Sequence, residues 1–343
     1  MTARVSSSRP VPLLPRVAPF AVALGSVYPL VLIVRGAATD PLAFARNVLE
    51  GVSLGGVYAL IALGYTMVYG VLGLINFAHS DVFMIGAYVG IYTAALSGVT
   101  ASFTGHVAWW IAPLCVLSAM VLCAALGVTI ERFAYRPVRN APKLTPLVTA
   151  IGVSMLLQNV AILVFSATPR GFPPVLRAVT VRLGPVTTTN IKLLDLTAAV
   201  ALMIGLNVLV NHTRTGRAMR AIATNIEAAR LMGVSTNKVI AVTFALGSAL
   251  AGAGGVLFGL DQPSVMPLSG VQPGLKAFVA AVLGGIGNIP GAMLGGLVIG
   301  LVEQLASRYL SSSFAPAIVF SILVAVLLVR PQGLLGRVTR EKV

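Results

Sequence analysis

The chain carries little charge, and very little of that charge is acidic. Only 10% of its 343 residues are charged, with nine Asp and Glu against 24 Lys and Arg. Soluble globular domains hold about a quarter charged residues, so this composition excludes an ordinary soluble domain. With 57% hydrophobic residues and a mean hydropathy of +0.94, the sequence predicts an all-α polytopic membrane protein.

The residue types that carry most enzyme chemistry are also scarce. The chain has three widely separated histidines and two cysteines, Cys115 and Cys123, which lie two helical turns apart in one apolar stretch. No Cys or His spacing suits a metal site. No lysine is followed by Ser or Thr, so the sequence contains no P-loop. We therefore expect a protein that is not an enzyme, with no catalytic residue, metal or cofactor, and that does not hydrolyse ATP by itself.

Long apolar stretches predict about 8–10 transmembrane helices, because ~20 apolar residues are needed to cross a bilayer. The connection at 168–190 contains an alternating apolar pattern that predicts a small hairpin. Residues 275–308 either cross twice or enter the membrane and return. The predicted spans are 17–35, 48–72, 79–97, 107–130, 144–167, 191–211, 238–260, 275–290 with 291–308, and 314–330.

The lysines and arginines predict the orientation of the chain. They are concentrated in the N-terminal tail, at 131–146, at 212–238 and in the C-terminal tail. Cytoplasmic connections are enriched in these residues, so both termini are predicted to be cytoplasmic. Lys276 falls in a connection predicted on the opposite side. Since the basic charge follows the topology, it does not indicate binding to nucleic acid.

The N-terminal region stands apart from the other spans. Residues 1–47 are rich in proline and arginine and contain the span 17–35. A cleaved signal peptide is the alternative, but the apolar stretch is long for one and ends at Arg35. We interpret 1–47 as a tail with a peripheral transmembrane helix, and 336–343 as a cytoplasmic tail.

A polar cluster interrupts the apolar sequence near 73–81. Asn76, Ser80 and Asp81 are residue types that cap helix N-termini, and a new helix is predicted to start there. A half-helix with free N–H groups at its start would suit the carboxylate of a substrate. Two interpretations remain, a capped turn at the cytoplasmic surface and a break that lines a pathway, and the two can overlap.

A second break is predicted near 284–291. The pattern Asn-x-Pro-Gly interrupts a helix because proline lacks the N–H group. A short sequence similarity between residues 71–76 and 282–288 suggests two related halves, about 48–167 and 191–330. Small residues spaced four apart predict close helix packing. The candidate pathway residues from both breaks are Asn76, Phe77, His79, Ser80, Asp81, Gly287, Asn288 and Pro290.

The segment 212–238 is a charged island between two apolar spans. It contains several cations together with amphipathic runs, a combination that predicts a water-exposed segment in contact with another protein. The run Glu227-Ala228-Ala229-x-x-x-Gly233 resembles the EAA-type loop of ABC importer permeases. Glu227 favours the start of a short helix, and Gly233 ends it without a clash at Cβ.

Further motifs make this resemblance specific. In chain order, the sequence across about 50–335 resembles the permeases of branched-chain amino acid ABC importers. The motifs are Gly55-Gly56-Val57-Tyr58-Ala59-Leu60-x-Ala62-Leu63-Gly64, Gly73-Leu-Ile-Asn76-Phe77-Ala78-His79, Gly216-Arg217-Ala218-Met219-Arg220-Ala221, and Ala277-Phe278-x-Ala280-x-Val282-Leu283-Gly284-Gly285-Ile286-Gly287-Asn288-x-Pro290-Gly291.

The resemblance implies that 48–335 is the permease domain and 212–238 its cytoplasmic coupling loop. It implies a bacterial inner-membrane location and partners: a second homologous permease, two cytoplasmic ABC ATPases, and a periplasmic or lipid-anchored substrate-binding protein. The implied substrates are branched-chain or related amino acids, with urea or short amides as the alternative. The residues implied to couple with the ATPases are Arg217, Arg220, Glu227, Ala228, Ala229, Arg230 and Gly233.

Two other classes of function compete with an importer permease. An ion-coupled secondary transporter would use a buried acid such as Glu50, Asp81 or Glu303, and the charged island would then have no ATPase partner. A membrane scaffold without transport would tolerate changes at Asn76 or His79.

Overall fold

The protein is described by a computed structural model that covers residues 31–336 apart from 143, 263 and 331. Residues 31–39 are helical. Most of the predicted span 17–35 lies outside the described residues, as do the N-terminal tail and all but the first residue of the predicted C-terminal tail.

The described part of the chain folds as a bundle of helices with one small sheet. The helix Ile111–Ile130, which is α3, is continued by a π-helical turn at Glu131–Tyr135 and a short helix at Arg136–Val138. The other helices are α1 Pro41–Leu72, α2 His79–Leu96, α4 Leu144–Phe165, α5 Asn190–His212, α6 Arg214–Thr224, α7 Ile226–Leu231, α8 Thr236–Asp261, α9 Val271–Gly284, α10 Ile289–Tyr309 and α11 Ala315–Val329.

Six of these helices are long and apolar enough to cross a membrane: α1, α3 with its continuation, α4, α5, α8 and α10. The all-α, multi-pass architecture predicted from the sequence is therefore confirmed. The apolar helices α9 and α11 are shorter. The predicted span 79–97 forms α2, which is not one of the six and opens with the polar residues His79, Ser80 and Asp81.

The predicted hairpin at 168–190 is present. Strands β1 (Thr180–Leu183) and β2 (Val186–Thr189) pair antiparallel, and Gly184 has a positive φ of 63° in the turn. Asn190 fixes the hairpin to the start of α5 by accepting from the Val179 amide at 2.9 Å. We call this end of the bundle the hairpin side, and the opposite end the α6–α7 side.

The centre of the bundle is α1, which packs most extensively against the antiparallel helix α10. Glycines let their backbones touch. A Cβ atom on Gly300 would overlap the backbone nitrogen of Gly55, and a Cβ atom on Gly296 would lie 2.5 Å from the Ala59 Cα. In lipid, such close packing is a main source of helix association, because apolar side chains gain little by leaving an apolar solvent.

Helix α2 starts deep inside the bundle. Its first residue, His79, packs against Gly64 of α1, and Gly64 lies eight residues before the end of α1 at Leu72. At a rise of 1.5 Å per residue this is a depth of ~12 Å. The connection 73–78 therefore turns back into the bundle, and α2 runs from there to the hairpin side.

Helix α9 also starts inside the bundle. A Cβ atom on either Gly270 or Gly274 would overlap Ser80 in the first turn of α2. The 14 residues of α9 extend ~21 Å, less than the ~30 Å of a hydrocarbon core. Residues 264–270, which are not helical, supply the remaining ~9 Å of this crossing, so the region predicted to start at 275 crosses with its first part outside a helix.

A pair of substitutions tests the α1–α10 contact. Gly300→Ala places a methyl group against the backbone of Gly55, and we expect it to destabilise the bundle by about 1–3 kcal/mol. Gly205→Ala is the matched control, because nothing lies within 4 Å of that position. Thermal unfolding of both variants in detergent measures the difference. Equal melting temperatures would contradict the close contact of the two helices.

Candidate functional site

The polar cluster at the start of α2 is buried. Asn76 is 2% exposed, and His79 and Asp81 are each 1% exposed. The Tyr135 hydroxyl donates to the Asn76 side chain at 2.9 Å. The side chain of Phe77 is partly buried, with its ring centroid 6.4 Å from that of Phe278 in α9. The cluster is a fixed, packed part of the bundle and not a surface turn.

The predicted capping role of this cluster is wrong. The N-cap of α2 is Ala78, and no side chain caps the helix. The side-chain carbonyl of Asn76 is already used by Tyr135, and the Ser80 hydroxyl donates back to the Phe77 carbonyl at 3.1 Å. Because these side chains have other partners, the first N–H groups of α2 have no side-chain acceptor.

The carboxylate of Asp81 connects α2 to α4. The Ser154 hydroxyl donates to one of its oxygens at 2.5 Å, and the Gln158 amide donates to the other at 3.0 Å. Helix α4 is otherwise largely exposed: only 11% of its most apolar 18-residue stretch is buried in the protein. The polar contact therefore anchors a peripheral helix.

His79 faces the central helix. Its imidazole lies 4.9 Å from the Tyr65 ring in an edge-on arrangement, and a Cβ atom on Gly64 would overlap the imidazole. Nε2 of His79 has no hydrogen-bond partner among the described residues. Because Gly64 has no side chain, it leaves the space that the imidazole of His79 occupies.

The starts of α2 and α9 meet at Ser80. Gly270 and Gly274, one turn apart, allow the backbone of α9 to contact this residue. Neither helix has a side-chain cap, and the two run to opposite sides of the bundle. Two positive helix ends therefore converge within the protein. Sequence reasoning missed this meeting point, although the spacing Gly270-x-x-x-Gly274 is a signal for close packing.

The second predicted break lies elsewhere, on the α6–α7 side. Gly287 has φ +90° and packs against Gly70 near the end of α1. Asn288 caps α10 by accepting from the Gly291 amide at 3.1 Å, and Pro290 occupies the first turn. The structure therefore places Gly287, Asn288 and Pro290 near α6 and not beside the start of α2.

A small cavity joins this break to the charged island. Its volume is about 80 Å³, and Gly287, Thr66 of α1 and Met219 and Arg220 of α6 contribute to its wall. The break is thus in direct reach of the segment that was predicted to contact partner proteins.

Lys276 lies inside the bundle, so its predicted place in a connection outside the membrane is wrong. Its amine is 2.6 Å from the Glu303 carboxylate in α10. The Tyr58 hydroxyl of α1 donates to the same carboxylate at 3.0 Å. A buried amine is stable only with such a partner, and the partner is remote in the sequence.

Helix α6 folds back against the end of α5. Thr213 caps it by accepting from the Gly216 amide at 3.1 Å. A Cβ atom on Gly216 would overlap the Val210 carbonyl, to which the Arg220 guanidinium donates. Met219 of α6 is buried, and Arg217 is exposed. The segment is therefore fixed to the bundle by its backbone and its apolar face.

Helix α7 is defined by a cap at each end. The Asn225 side chain accepts from the Ala228 amide at 3.0 Å, a cap that sequence reasoning missed, and Glu227 lies in the first turn. The Val234 amide donates to the Ala229 carbonyl and the Gly233 amide to the Arg230 carbonyl, each at 3.0 Å. These two bonds form a Schellman motif, which requires the φ of +83° found at Gly233.

The outer surface of α7 is available for contact. Ala229 is buried, whereas Glu227, Ala228 and Arg230 are exposed. Beside them stand two large apolar side chains, Leu231 at 88% exposure and Met232 at 84%.

The sequence and fold were compared with known proteins. The family model described as "Branched-chain amino acid transport system / permease component" matches residues 47–330. The high-affinity branched-chain amino acid transport system permease protein LivH of Escherichia coli K12 is 42% identical over 307 residues, covering 88% of this chain and 98% of LivH. The corresponding BraD of Pseudomonas aeruginosa is 39% identical with the same coverage.

A more distant similarity is to a sugar-import permease. The ribose import permease protein RbsC of Escherichia coli K12 is 30% identical over 122 residues, 34% of this chain and 38% of RbsC. Among solved structures, PsaBC from Streptococcus pneumoniae in complex with Fab aligns with a TM-score of 0.46 and 10% identity, over 88% of this chain and 97% of that chain.

Unlike RbsC, the branched-chain relatives cover most of this chain and nearly all of their own length. The family model spans every helix of the permease region from α1 to α11 apart from the first six residues of α1. On this evidence the chain belongs to the branched-chain amino acid transport system permease family.

Proposed function

We propose that this chain is the permease subunit of an ABC importer that carries branched-chain or related amino acids across the bacterial inner membrane. The proposal rests on its relatives, which are named as branched-chain amino acid transport system permeases. The distribution of lysine and arginine supports a cytoplasmic α6–α7 side, with both termini on that side.

One observation carries the coupling part of the proposal. Helix α7 is held at both ends by its own caps, yet it leaves Leu231 and Met232 almost fully exposed. Large apolar side chains on a rigid, water-facing helix are costly to leave uncovered and are typical of a contact site. We infer that this surface docks into an ATPase subunit, with Glu227 and Arg230 beside it as charged contacts.

The proposed assembly contains a second homologous permease, two cytoplasmic ATPases and a substrate-binding protein outside. ATP binds only to the ATPases. Movement of α7 reaches the bundle through α6, whose Gly216 and Arg220 contact the end of α5. Arg220 and Met219 also border the cavity at Gly287, which gives the same motion a path to the break before α10.

For the substrate route, we propose that the carboxylate of the amino acid passes the meeting point of α2 and α9. The two converging helix N-termini would attract a negative group within the membrane. The buried residues Asn76, His79, Ser80 and Asp81 hold these helix starts in place, and Phe77 contacts α9. Gly287, Asn288 and Pro290 would act at the cytoplasmic end of the route.

Neither alternative is favoured. The relatives are named for branched-chain amino acids and not for urea or amides. The acids weighed for ion coupling have partners: Asp81 accepts from Ser154 and Gln158, Glu303 pairs with Lys276, and Glu50 pairs with Arg46.

The docking surface is tested by Leu231→Asp. Burying a carboxylate in the ATPase contact is costly, so we expect at least about tenfold weaker retention of the ATPase during copurification. Leu96→Asp is the matched control, since Leu96 is also the last residue of a helix, is 90% exposed, and lies on the hairpin side. Equal retention of the ATPase by both variants would refute docking at α7.

The shape of α7 is tested by Gly233→Ala, which forces alanine into the left-handed region at a cost of about 1–2 kcal/mol. Gly98→Ala imposes the same strain, because Gly98 ends α2 at φ +82° with the same pair of capping bonds. We expect amino acid uptake by proteoliposomes containing the complete transporter to fall only in the Gly233 variant. A parallel loss in both variants would mean that strain alone causes the defect.

The energy source is tested by Asp81→Asn. Asparagine keeps one acceptor oxygen, so we expect a loss of stability of about 1 kcal/mol with ATP-driven uptake still present. Ser154→Ala is the control, because it removes one of the two hydrogen bonds to Asp81 and keeps the carboxylate. Uptake driven by a proton gradient without ATP, present in the Ser154 variant and abolished in the Asp81 variant, would overturn the importer proposal in favour of an ion-coupled carrier.

A further inference from the structure

A basic cavity lies behind the coupling helix. Its volume is about 550 Å³, and it opens between the continuation of α3, the loop after α7 and the start of α8. Four cations contribute to its wall: Arg132, Arg136, Arg230 and Lys238. With Glu131 as the acid in the wall, the wall carries a net positive charge and favours an anionic ligand.

The start of α8 adds to the positive potential. Its N-cap residue, Ser235, makes no side-chain capping bond, and Thr236 and Asn237 also line the cavity. The first N–H groups of this 26-residue helix therefore face the cavity without an intrahelical partner. Free N–H groups and the positive helix end together form a favourable site for a phosphate group.

The acid in the wall needs a hydrogen-bond donor. Glu131 is 2% exposed, and one of its carboxylate oxygens has no partner among the described residues. A phosphate diester has no O–H group, so its phosphate alone would leave this oxygen unsatisfied. A ligand with both a phosphate and hydroxyl groups would satisfy the cations and the carboxylate together.

The surroundings of the cavity indicate where such a ligand comes from. Val128 in the wall lies on the same face of α3 as Val121 and Leu117, which are 66% and 59% exposed. These side chains form an apolar stripe along a membrane-spanning helix, and the stripe leads into the basic cavity. This combination of a basic pocket at the helix ends and an apolar surface above it suits a lipid with a charged headgroup.

We propose that the cavity binds the headgroup of an anionic glycerophospholipid with a glycerol head, phosphatidylglycerol, from the leaflet on the α6–α7 side. Its phosphate contacts Arg132, Arg136, Arg230 and Lys238 and the start of α8. Its head hydroxyls donate to Glu131, and one acyl chain lies on the stripe formed by Val121 and Leu117. The bound lipid holds the continuation of α3 to the loop that follows the coupling helix.

The test uses the complete transporter in nanodiscs of phosphatidylglycerol and phosphatidylethanolamine, followed by native mass spectrometry of the retained lipids. The variant Arg132→Gln with Arg136→Gln removes two cations from the wall. The matched control is Arg214→Gln with Arg330→Gln, which removes two cations on the same side that are not in the cavity wall. Melting temperatures check that both double variants are folded.

We expect the unsubstituted transporter and the control to retain phosphatidylglycerol in preference to phosphatidylethanolamine. The cavity variant should retain it at least about tenfold less well. Equal retention by both double variants would overturn the proposal, as would equal retention of the two lipids. Displacement of the lipid by soluble glycerol phosphate at equal concentration would also overturn the proposal, because it indicates that the ligand is a free phosphate. So would lipid that binds the isolated chain but not the complete transporter, because that result indicates that an acidic ATPase side chain occupies this site.

Discussion

The fold depends on one constraint: inside a membrane, every backbone polar group needs a partner within the protein. Two helices of this chain, α2 and α9, begin inside the bundle, where no preceding helical turn supplies carbonyls to their first N–H groups. The His79 amide donates instead to the Asn76 carbonyl, and the Val271 amide to the Leu268 carbonyl, each at 3.1 Å. Such starts are tolerated only where protein surrounds them. Here α1, α4 and α8 enclose the start of α2, and contact at Gly64 and Gly247 brings α1 and α8 together beside His79.

The glycines follow from this constraint. A helix start can be enclosed only if neighbouring backbones approach it closely, and Gly64, Gly270 and Gly274 each provide that approach at one point. Rigid contacts of this kind also limit how the bundle can change shape. Because α1 and α10 touch through Gly55 and Gly300, we expect them to move as one unit. Helix α4 is attached to α2 by the hydrogen bonds to Asp81 and the stacking of Phe165 on Tyr88, and it also contacts the continuation of α3. An inward-to-outward transition would more readily involve α4 than the α1–α10 pair.

The class of fold, the hairpin and the short helix that ends before Gly233 could be predicted from the sequence, because each has a local signature. The positive φ of Gly233 belongs to this group, since a short helix followed by glycine needs no information from distant residues. The prediction that Asn76 caps α2 was wrong because the actual partners in this cluster are distant in the sequence. The partner of Asn76 is Tyr135, and the partners of Asp81 are Ser154 and Gln158, which lie more than 50 residues away in the sequence.

Lys276 illustrates the same limit. A lysine within an apolar stretch predicts that the membrane-water boundary lies there, because an unpaired amine in the hydrocarbon region is costly. Glu303 and Tyr58 remove that cost, but the residues next to Lys276 in the sequence do not indicate that these two are its partners. The predicted start of this crossing at 275 was wrong as well, because counting apolar residues does not detect a crossing whose first part, at 264–270, is not helical.

Arg230 lies at the junction of the two surfaces on the α6–α7 side. It occupies the last turn of α7, on the helix proposed to dock into the ATPase, and it also lines the basic cavity behind that helix. A cation in this position interacts with whatever anion occupies the cavity. The position of α7 relative to α8 then depends on two contacts, the Schellman motif at Gly233 and the charge balance around Arg230. The first is fixed by the backbone, and the second would vary with the proposed lipid, so α7 is the element through which lipid composition would alter the response to ATP.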